Sequence, residues 1–150
     1  LDNEKENFIR NKINFSFIGN LNKFSKDIIA KLTNFKRITQ NFSNLYFVLA
    51  LGYGSRSEIL DAVNNIALSK KKIKSEKSFS EFLMTNGIPD PDLVIRTSGE
   101  MRLSNFLLWQ IAYSELYFTK TLWPDFNSTK FKMAIENFIK RKRRFGKDYD

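Results

Sequence analysis

Four short apolar segments recur along the chain, and they are separated by longer stretches of mixed polarity. The four segments are residues 13–19, 45–51, 92–96 and 116–122. Each has the length of a β-strand. The second, LYFVLAL, is apolar throughout, which is typical of a strand that is buried on both faces. The pattern therefore predicts four strands.

Helices are predicted between and after these strands. In residues 22–39 the apolar side chains recur at helical spacing, and residues 55–58, SRSE, have the pattern of a capping box at a helix start. Further helices are predicted over residues 78–86, closed by Gly87, over residues 105–113, and from about Asn127 onwards. Strands that alternate with helices indicate an α/β fold with a mainly parallel sheet flanked by helices. No internal repeat or linker interrupts the pattern.

Composition narrows the class of protein. A chain of 150 residues with 42% apolar and 15% aromatic residues can form one folded domain. Its fifteen phenylalanines indicate either a large apolar interior or cavity, or the amino-acid bias of an AT-rich genome. The sequence contains no cysteine and no histidine, which excludes disulfides, histidine-bound zinc and a Ser-His-Asp triad within it. Any bound metal would be a hard cation on oxygen ligands, such as Mg²⁺.

The net charge of +9 is concentrated in two short runs, residues 70–72 and 140–144. Neither run is interleaved with the aromatic residues of a base-stacking surface, so we predict no nucleic-acid partner. A solvated face is the preferred interpretation, and attraction to anionic lipid or phosphate is the alternative. No apolar run approaches the ~20 residues of a membrane span, and the N-terminal residues lack a secretory pattern. These features predict a cytoplasmic location.

A polar turn links the strand predicted at residues 92–96 to the helix predicted at residues 105–113. Arg96 ends the strand, and Arg102 and Ser104 come directly before the helix. Ligands of parallel sheets bind at the carboxyl ends of strands, and a helix N-terminus and guanidinium groups both favour phosphate. The turn therefore predicts a site for a phosphorylated ligand. As alternatives, Ser104 is only a helix N-cap, and the two arginines only pair with Asp92 and Glu100.

The segment DLVIRTSGEMRLSNFLLWQIAYSELYF, residues 92–118, is followed by LWPDF. Together they closely resemble the C-terminal signature of the cis-prenyltransferases, the undecaprenyl diphosphate synthase family. Weaker similarity in FIGN, ALGYGSRSEI and RRFG extends the resemblance over nearly the whole chain. It implies an undecaprenyl diphosphate synthase-like α/β fold, of which residues 1–150 form the C-terminal part of a single, here incomplete, domain. Many members have histidine at the position of Met101, so any role of that imidazole is missing here.

The resemblance also implies roles for individual residues. Arg96, Arg102 and Ser104 match the residues that hold the diphosphate of isopentenyl diphosphate, and Leu103 contributes through its backbone between them. Glu115 matches a glutamate that helps to bind Mg²⁺. At ~1.5 Å per residue, the helix predicted at residues 105–113 would place Glu115 far from Ser104. Glu115 would then serve its own or a neighbouring subunit, or would simply pair with a lysine at the strand entry.

A homodimer is expected on two grounds. The helix predicted at residues 105–113 is apolar on almost every side, so either neighbouring helices or a second copy must cover it. Arg144 and Gly146, in the C-terminal RFG sequence, match an R-x-G element that in the family reaches the active site of the partner subunit.

The implied reaction transfers a prenyl group from an allylic, farnesyl-type diphosphate to isopentenyl diphosphate, with Mg²⁺ as cofactor and a new cis double bond. The product would be a polyprenyl diphosphate lipid carrier for cell-wall synthesis, and it would bring the enzyme into peripheral contact with the inner face of the membrane. The family's Asp-Gly-Asn-x-Arg loop, which supplies the catalytic aspartate, does not occur in these residues. We therefore expect no catalytic residue in this segment and no activity from it alone. The alternative is a non-catalytic subunit that acts as a dimerisation partner.

Overall fold

The computed structural model describes residues 2–141 and contains two compact units, which meet in sequence at Gly87 and Ile88. The first unit contains α1 (Lys5–Arg10), β1 (Ile13–Ile18), α2 (Lys26–Thr39), β2 (Leu45–Ala50), α3 (Ser55–Ser69) and α4 (Glu76–Ser80). The second contains β3 (Leu93–Arg96), β4 (Glu115–Phe118) and α5 (Ser128–Ile139). Short 3₁₀ turns lie at Asp2–Glu4 and Trp123–Asp125. No helix among the described residues is long and apolar enough to cross a membrane.

Parallel strand pairing confirms the α/β class. β1 pairs with β2 from Ile13 opposite Leu45 to Ile18 opposite Ala50, and β3 pairs with β4 from Leu93 opposite Glu115 to Arg96 opposite Phe118. Both connections cross from one strand end to the opposite end, as parallel pairs require. Among the described residues, the strands form two two-stranded sheets.

The core of the first unit lies where α2 packs on β1. Phe15, Leu32 and Phe35 are buried together, and the ring centroids of Phe15 and Phe35 lie 4.8 Å apart. The buried hydroxyl of Thr39 accepts a hydrogen bond from the Phe15 N–H (3.0 Å) and donates one to the Phe35 carbonyl (3.0 Å). These two hydrogen bonds fix the end of α2 against β1, because burying the Thr39 hydroxyl without partners would cost free energy of folding. The helix begins after Ser25, whose hydroxyl accepts from the Ile28 N–H.

Three predictions for the first unit were wrong in part. α3 begins at Ser55 with Gly54 as its N-cap, so Glu58 lies one position too late for the predicted capping box. The strand predicted to be buried on both faces, β2, contains no buried residue, and its residues 45 and 46 are 54% and 67% exposed, since α1 and α2 pack mainly on β1. The short helix predicted at residues 78–86 instead begins at Glu76, where Ser75 and Ser78 form a capping box. Helix α1 was not predicted.

The second unit contradicts the helix predicted at residues 105–113. The structure has a series of turns there, with φ values of +49° at Ser104, +61° at Asn105 and +46° at Leu107. Positive φ angles cannot continue a right-handed helix. The strand predicted at residues 116–122 is β4, which ends at Phe118. The last helix was predicted correctly: α5 follows Asn127, whose side-chain carbonyl accepts from the Lys130 N–H at 3.1 Å.

Candidate functional site

A cavity of about 320 Å³ opens beside the carboxyl ends of β3 and β4. Its walls come from the end of β3, the turn after it and the last residue of β4. The lining residues are Val94, Ile95, Arg96, Thr97, Ser98, Glu100, Arg102, Leu103, Phe106 and Phe118. The cavity thus lies at the strand edge where the sequence predicted a ligand site.

Backbone hydrogen bonds hold the turn in place over the end of β4. The Ser98 N–H donates to the Thr121 carbonyl (2.8 Å), the Gly99 N–H donates to the Thr119 carbonyl (2.9 Å), and the Thr119 N–H donates to the Arg96 carbonyl (2.9 Å). Ser98 and Gly99 have φ values of +68° and +72°, which reverse the chain directly after Arg96. This left-handed pair fixes the direction in which the chain leaves the strand.

The two arginines of the cavity differ in their partners. Arg102 forms an ion pair with Glu100, and its side chain is 66% exposed. Within residues 2–141, Arg96 forms no ion pair, so the alternative in which it pairs with Asp92 is not observed. One arginine is therefore neutralised by a neighbouring carboxylate while the other keeps its charge. Together the three side chains leave the cavity with an excess of positive charge.

Leu103 and Ser104 contribute differently from what the sequence predicted. Leu103 lines the cavity, and the backbone group that it can offer to an anion is its N–H, because an anion needs a donor and the Leu103 carbonyl is an acceptor, here occupied by the Phe106 N–H (3.1 Å). Ser104 is exposed and is not one of the lining residues in the described part of the chain. It is neither the N-cap of a helix nor part of a helix N-terminus, since turns and not a helix follow directly after it. The predicted helix-dipole contribution to anion binding is therefore wrong.

Glu115 lies away from the cavity. It is the first residue of β4, and Phe118, the last, is at the cavity. At ~3.3 Å per strand residue, about 10 Å separates the two positions. The Glu115 carboxylate is 2.7 Å from the Arg141 guanidinium, so its partner is an arginine and not the lysine of the alternative interpretation. Arg141 also donates to the Leu116 carbonyl and twice to the Asn137 side-chain oxygen.

The surroundings of Glu115 do not make a complete metal site. Among the described residues, no group of three carboxylates could hold a metal ion. Magnesium is commonly bound by one or two carboxylates together with substrate phosphates and water. Glu115 could therefore supply one ligand to a metal–diphosphate complex, and no more than that. Arg144 and Gly146, the predicted R-x-G element, lie outside the described residues.

Two aromatic residues of the cavity were not predicted from the sequence. Phe106 and Phe118 line the cavity together with the two arginines. Phe118 reaches the cavity because it pairs in register with Arg96 across β3 and β4. Had the two strands been aligned as a parallel pair, the sequence could have identified Phe118 as the neighbour of Arg96 at the same sheet edge. The lining of the cavity thus combines cationic and apolar residues.

Comparison with known sequences gives consistent matches over almost the whole chain. The model of the family described as "Putative undecaprenyl diphosphate synthase" matches residues 1–146. The isoprenyl transferase of Fusobacterium nucleatum is 49% identical over 146 residues, which cover 97% of this chain and 63% of that protein. The isoprenyl transferase of Thermotoga maritima is 45% identical over 150 residues, with 97% and 64% covered. The chain thus spans slightly less than two thirds of the length of these relatives.

Two solved structures have closely similar folds. A probable undecaprenyl diphosphate synthase from Campylobacter jejuni superposes with a TM-score of 0.87 at 35% identity, covering 97% of this chain and 69% of that one. Lavandulyl diphosphate synthase from Lavandula x intermedia, in complex with dimethylallyl diphosphate, superposes with a TM-score of 0.86 at 34% identity, covering 95% and 68%.

Proposed function

The chain belongs to the undecaprenyl diphosphate synthase family, and from this premise we propose that its protein is a cis-prenyltransferase in which the cavity at β3 and β4 binds isopentenyl diphosphate. The observation that carries the assignment is Arg96, which lines the cavity and whose guanidinium forms no ion pair within residues 2–141. A charged, planar donor without a carboxylate partner suits a diphosphate, because its paired N–H groups match phosphate oxygens.

Arg102 supplies the second charge on the diphosphate. In the free protein it pairs with Glu100, and the two side chains are 66% and 41% exposed. Exposed ion pairs contribute little stability, so a diphosphate carrying several charges competes effectively with Glu100 for this guanidinium. Phe106 and Phe118, which also line the cavity, would contact the five-carbon isopentenyl group. The cavity therefore accounts for both ends of this small substrate.

The residues of the cavity bind and orient isopentenyl diphosphate, which is the acceptor substrate. Holding isopentenyl diphosphate in one pose favours reaction with an allylic, farnesyl-type diphosphate, because a correctly oriented pair avoids much of the entropy cost of meeting. Mg²⁺, when bound to diphosphate oxygens, neutralises negative charge that develops on the leaving group. Glu115, whose carboxylate pairs with Arg141 about 10 Å along β4 from the cavity, is the one described residue that the family resemblance assigns to that ion, and it would have to leave Arg141 to supply an oxygen ligand. The product is a polyprenyl diphosphate of the lipid-carrier type.

Kinetics of Arg102→Ala test this function. In the intact protein, we expect this variant to raise the KM for isopentenyl diphosphate by about 10-fold or more, since a charged hydrogen-bonding partner contributes about 1.5–3 kcal/mol. The KM for the allylic diphosphate should change by less than about twofold. Removal of Mg²⁺ by chelation should abolish turnover in both proteins. Equal increases in both KM values would contradict the assignment, and an intact protein that binds isopentenyl diphosphate without turnover would favour the alternative of a non-catalytic subunit.

A homodimer is part of the same proposal. It is supported by the resemblance of Arg144 and Gly146 to the family's R-x-G element, since the apolar helix at residues 105–113, its other ground, does not form. Each protomer would then complete the active site of the other. Light scattering of the intact protein at micromolar concentration should give the mass of two chains. A monomer that retains full activity would show that the R-x-G element does not act across subunits.

A further inference from the structure

The loop between α3 and α4 carries the densest positive charge among the described residues. Residues 68–77, LSKKKIKSEK, contain five lysines and one glutamate, Glu76, and therefore have a net charge of +4. The five lysines are Lys70, Lys71, Lys72, Lys74 and Lys77, and all are exposed. Within residues 2–141, none of them forms an ion pair with a carboxylate. The site proposed above at β3 and β4 makes no use of this charge.

Hydrogen bonds order the backbone of this loop. α3 ends at Ser69, and Lys70 adopts a left-handed conformation (φ +56°) that turns the chain. The Ser69 hydroxyl accepts from the Lys71 N–H (3.2 Å), and the Ser78 hydroxyl accepts from the Lys74 N–H (3.1 Å). Bonds at both ends therefore hold the loop to the two helices. The Lys71 ammonium also lies 5.7 Å from the centroid of the Phe82 ring.

An exposed apolar residue adjoins these charges. Leu68, in the last turn of α3, is 81% exposed, the highest value among the large apolar residues of the described chain. In water, the exposed Leu68 side chain contributes no burial of apolar surface to stability. At a membrane surface, by contrast, it can enter the boundary between headgroups and acyl chains while the lysines bind anionic headgroups. Clusters of four to eight basic residues are typical of surfaces that bind anionic lipid.

We propose that residues 68–77 form a peripheral docking surface for anionic lipid bilayers. Nucleic acid is the other polyanion to consider, but single strands are held by stacking on exposed aromatic side chains, and this segment contains none. Leu68 would also have no role on a nucleic acid. The inference does not depend on prenyl transfer, because it concerns only the charge, exposure and order of this loop. Under the proposed function, it would also keep the protein where its lipid product is released.

Vesicle sedimentation without any prenyl substrate tests the proposal. The intact protein should sediment with vesicles of phosphatidylcholine mixed with phosphatidylglycerol, and not with phosphatidylcholine alone. Each lysine near an anionic surface changes the partition constant by about fivefold, so replacing Lys70, Lys71 and Lys72 by glutamine should reduce it by about 100-fold at low salt. Leu68→Ser should reduce binding by a factor that does not vary with salt, since the lost contact is apolar.

A matched variant controls for net charge. Replacing Lys5, Lys130 and Lys132 by glutamine removes the same number of exposed lysines from elsewhere in the chain, and this variant should bind vesicles within about fivefold of the unmodified protein. All these positions are exposed, so thermal melting should confirm unchanged folding. Equal losses in the two triple variants would overturn the proposal. So would binding to a single-stranded oligonucleotide that is lost in the loop variant while vesicle binding is not detected.

Discussion

Replacing Arg96 by alanine is expected to weaken the binding of isopentenyl diphosphate by about 100-fold or more. Removing one partner of a charged, hydrogen-bonded contact in a binding site costs about 2–5 kcal/mol, and 100-fold corresponds to the lower part of that range. Arg96 should show a larger effect than Arg102, because Arg102 must first give up its pairing with Glu100. Isothermal titration of the ligand into the intact protein measures the dissociation constant without requiring turnover.

Two further variants make the Arg96 result specific. Arg96→Lys keeps the charge but loses the planar pair of donors, so it should bind with intermediate affinity. Arg37→Ala removes an arginine from α2, where its side chain donates to Asn34, and should leave the affinity unchanged. If Arg96→Ala bound within about threefold of the unmodified protein, the diphosphate could not lie against this guanidinium.

Gly19→Ala is expected to destabilise the fold severely, by more than about 3 kcal/mol. Gly19 follows β1 with a φ of +109°, and an added Cβ would lie 2.1 Å from the Leu51 carbonyl oxygen. That oxygen belongs to the backbone directly after β2, where the Leu51 N–H donates to the Ile18 carbonyl (2.9 Å). The clash can be relieved only by moving the strands apart. Chemical denaturation measures the resulting loss in free energy of unfolding.

Gly87→Ala separates the steric clash from backbone strain. Gly87 also has a positive φ, +81°, but no atom lies within 4 Å of a Cβ added there. This substitution should cost only the strain of a left-handed alanine, about 1–2 kcal/mol. Similar losses in the two variants would show that the close approach of Gly19 to Leu51 does not constrain the strand pair.

The strands and the longer helices could be predicted because their patterns are local. β1, β2, β3, α2 and α5 all lie where strand-like apolar runs or helical spacing placed them. Residues 105–113 could not be predicted in this way, because nearly every position is apolar and no face is distinguished from another. Conformation there follows from the left-handed residues Ser104, Asn105 and Leu107, which the hydrophobic pattern does not reveal.

Glu58 shows why a local pattern can have the wrong partner. The SRSE sequence fits a capping box, but the Glu58 side chain is 1% exposed and accepts hydrogen bonds from the Tyr53 hydroxyl (2.5 Å) and the Met84 N–H (2.9 Å). Met84 is 26 residues away, so only the folded chain brings the two together. The buried carboxylate is hydrogen-bonded to these two groups, and with Gly54 as the N-cap of α3 it does not form the capping box that its sequence position suggests.

The candidate site was predictable to a similar extent. The position of Arg96 at a strand end and of Arg102 in the following turn came from the sequence, and both line the cavity. The pairing of Arg102 with Glu100 was one of two interpretations that spacing alone left open. Phe118 and the separation of Glu115 from the cavity depend on which residues β3 and β4 place side by side. Strand register is a tertiary property, and a single strand does not specify it.

A crystal structure of the intact protein with isopentenyl diphosphate bound tests the assignment of the cavity most directly. The diphosphate oxygens are expected within about 3 Å of the guanidinium nitrogens of Arg96 and Arg102, with Arg102 turned away from Glu100. The isopentenyl carbons should lie against Phe106 and Phe118. A diphosphate bound elsewhere in the protein, with the cavity at β3 and β4 empty and the Arg102–Glu100 pair intact, would contradict the proposed site.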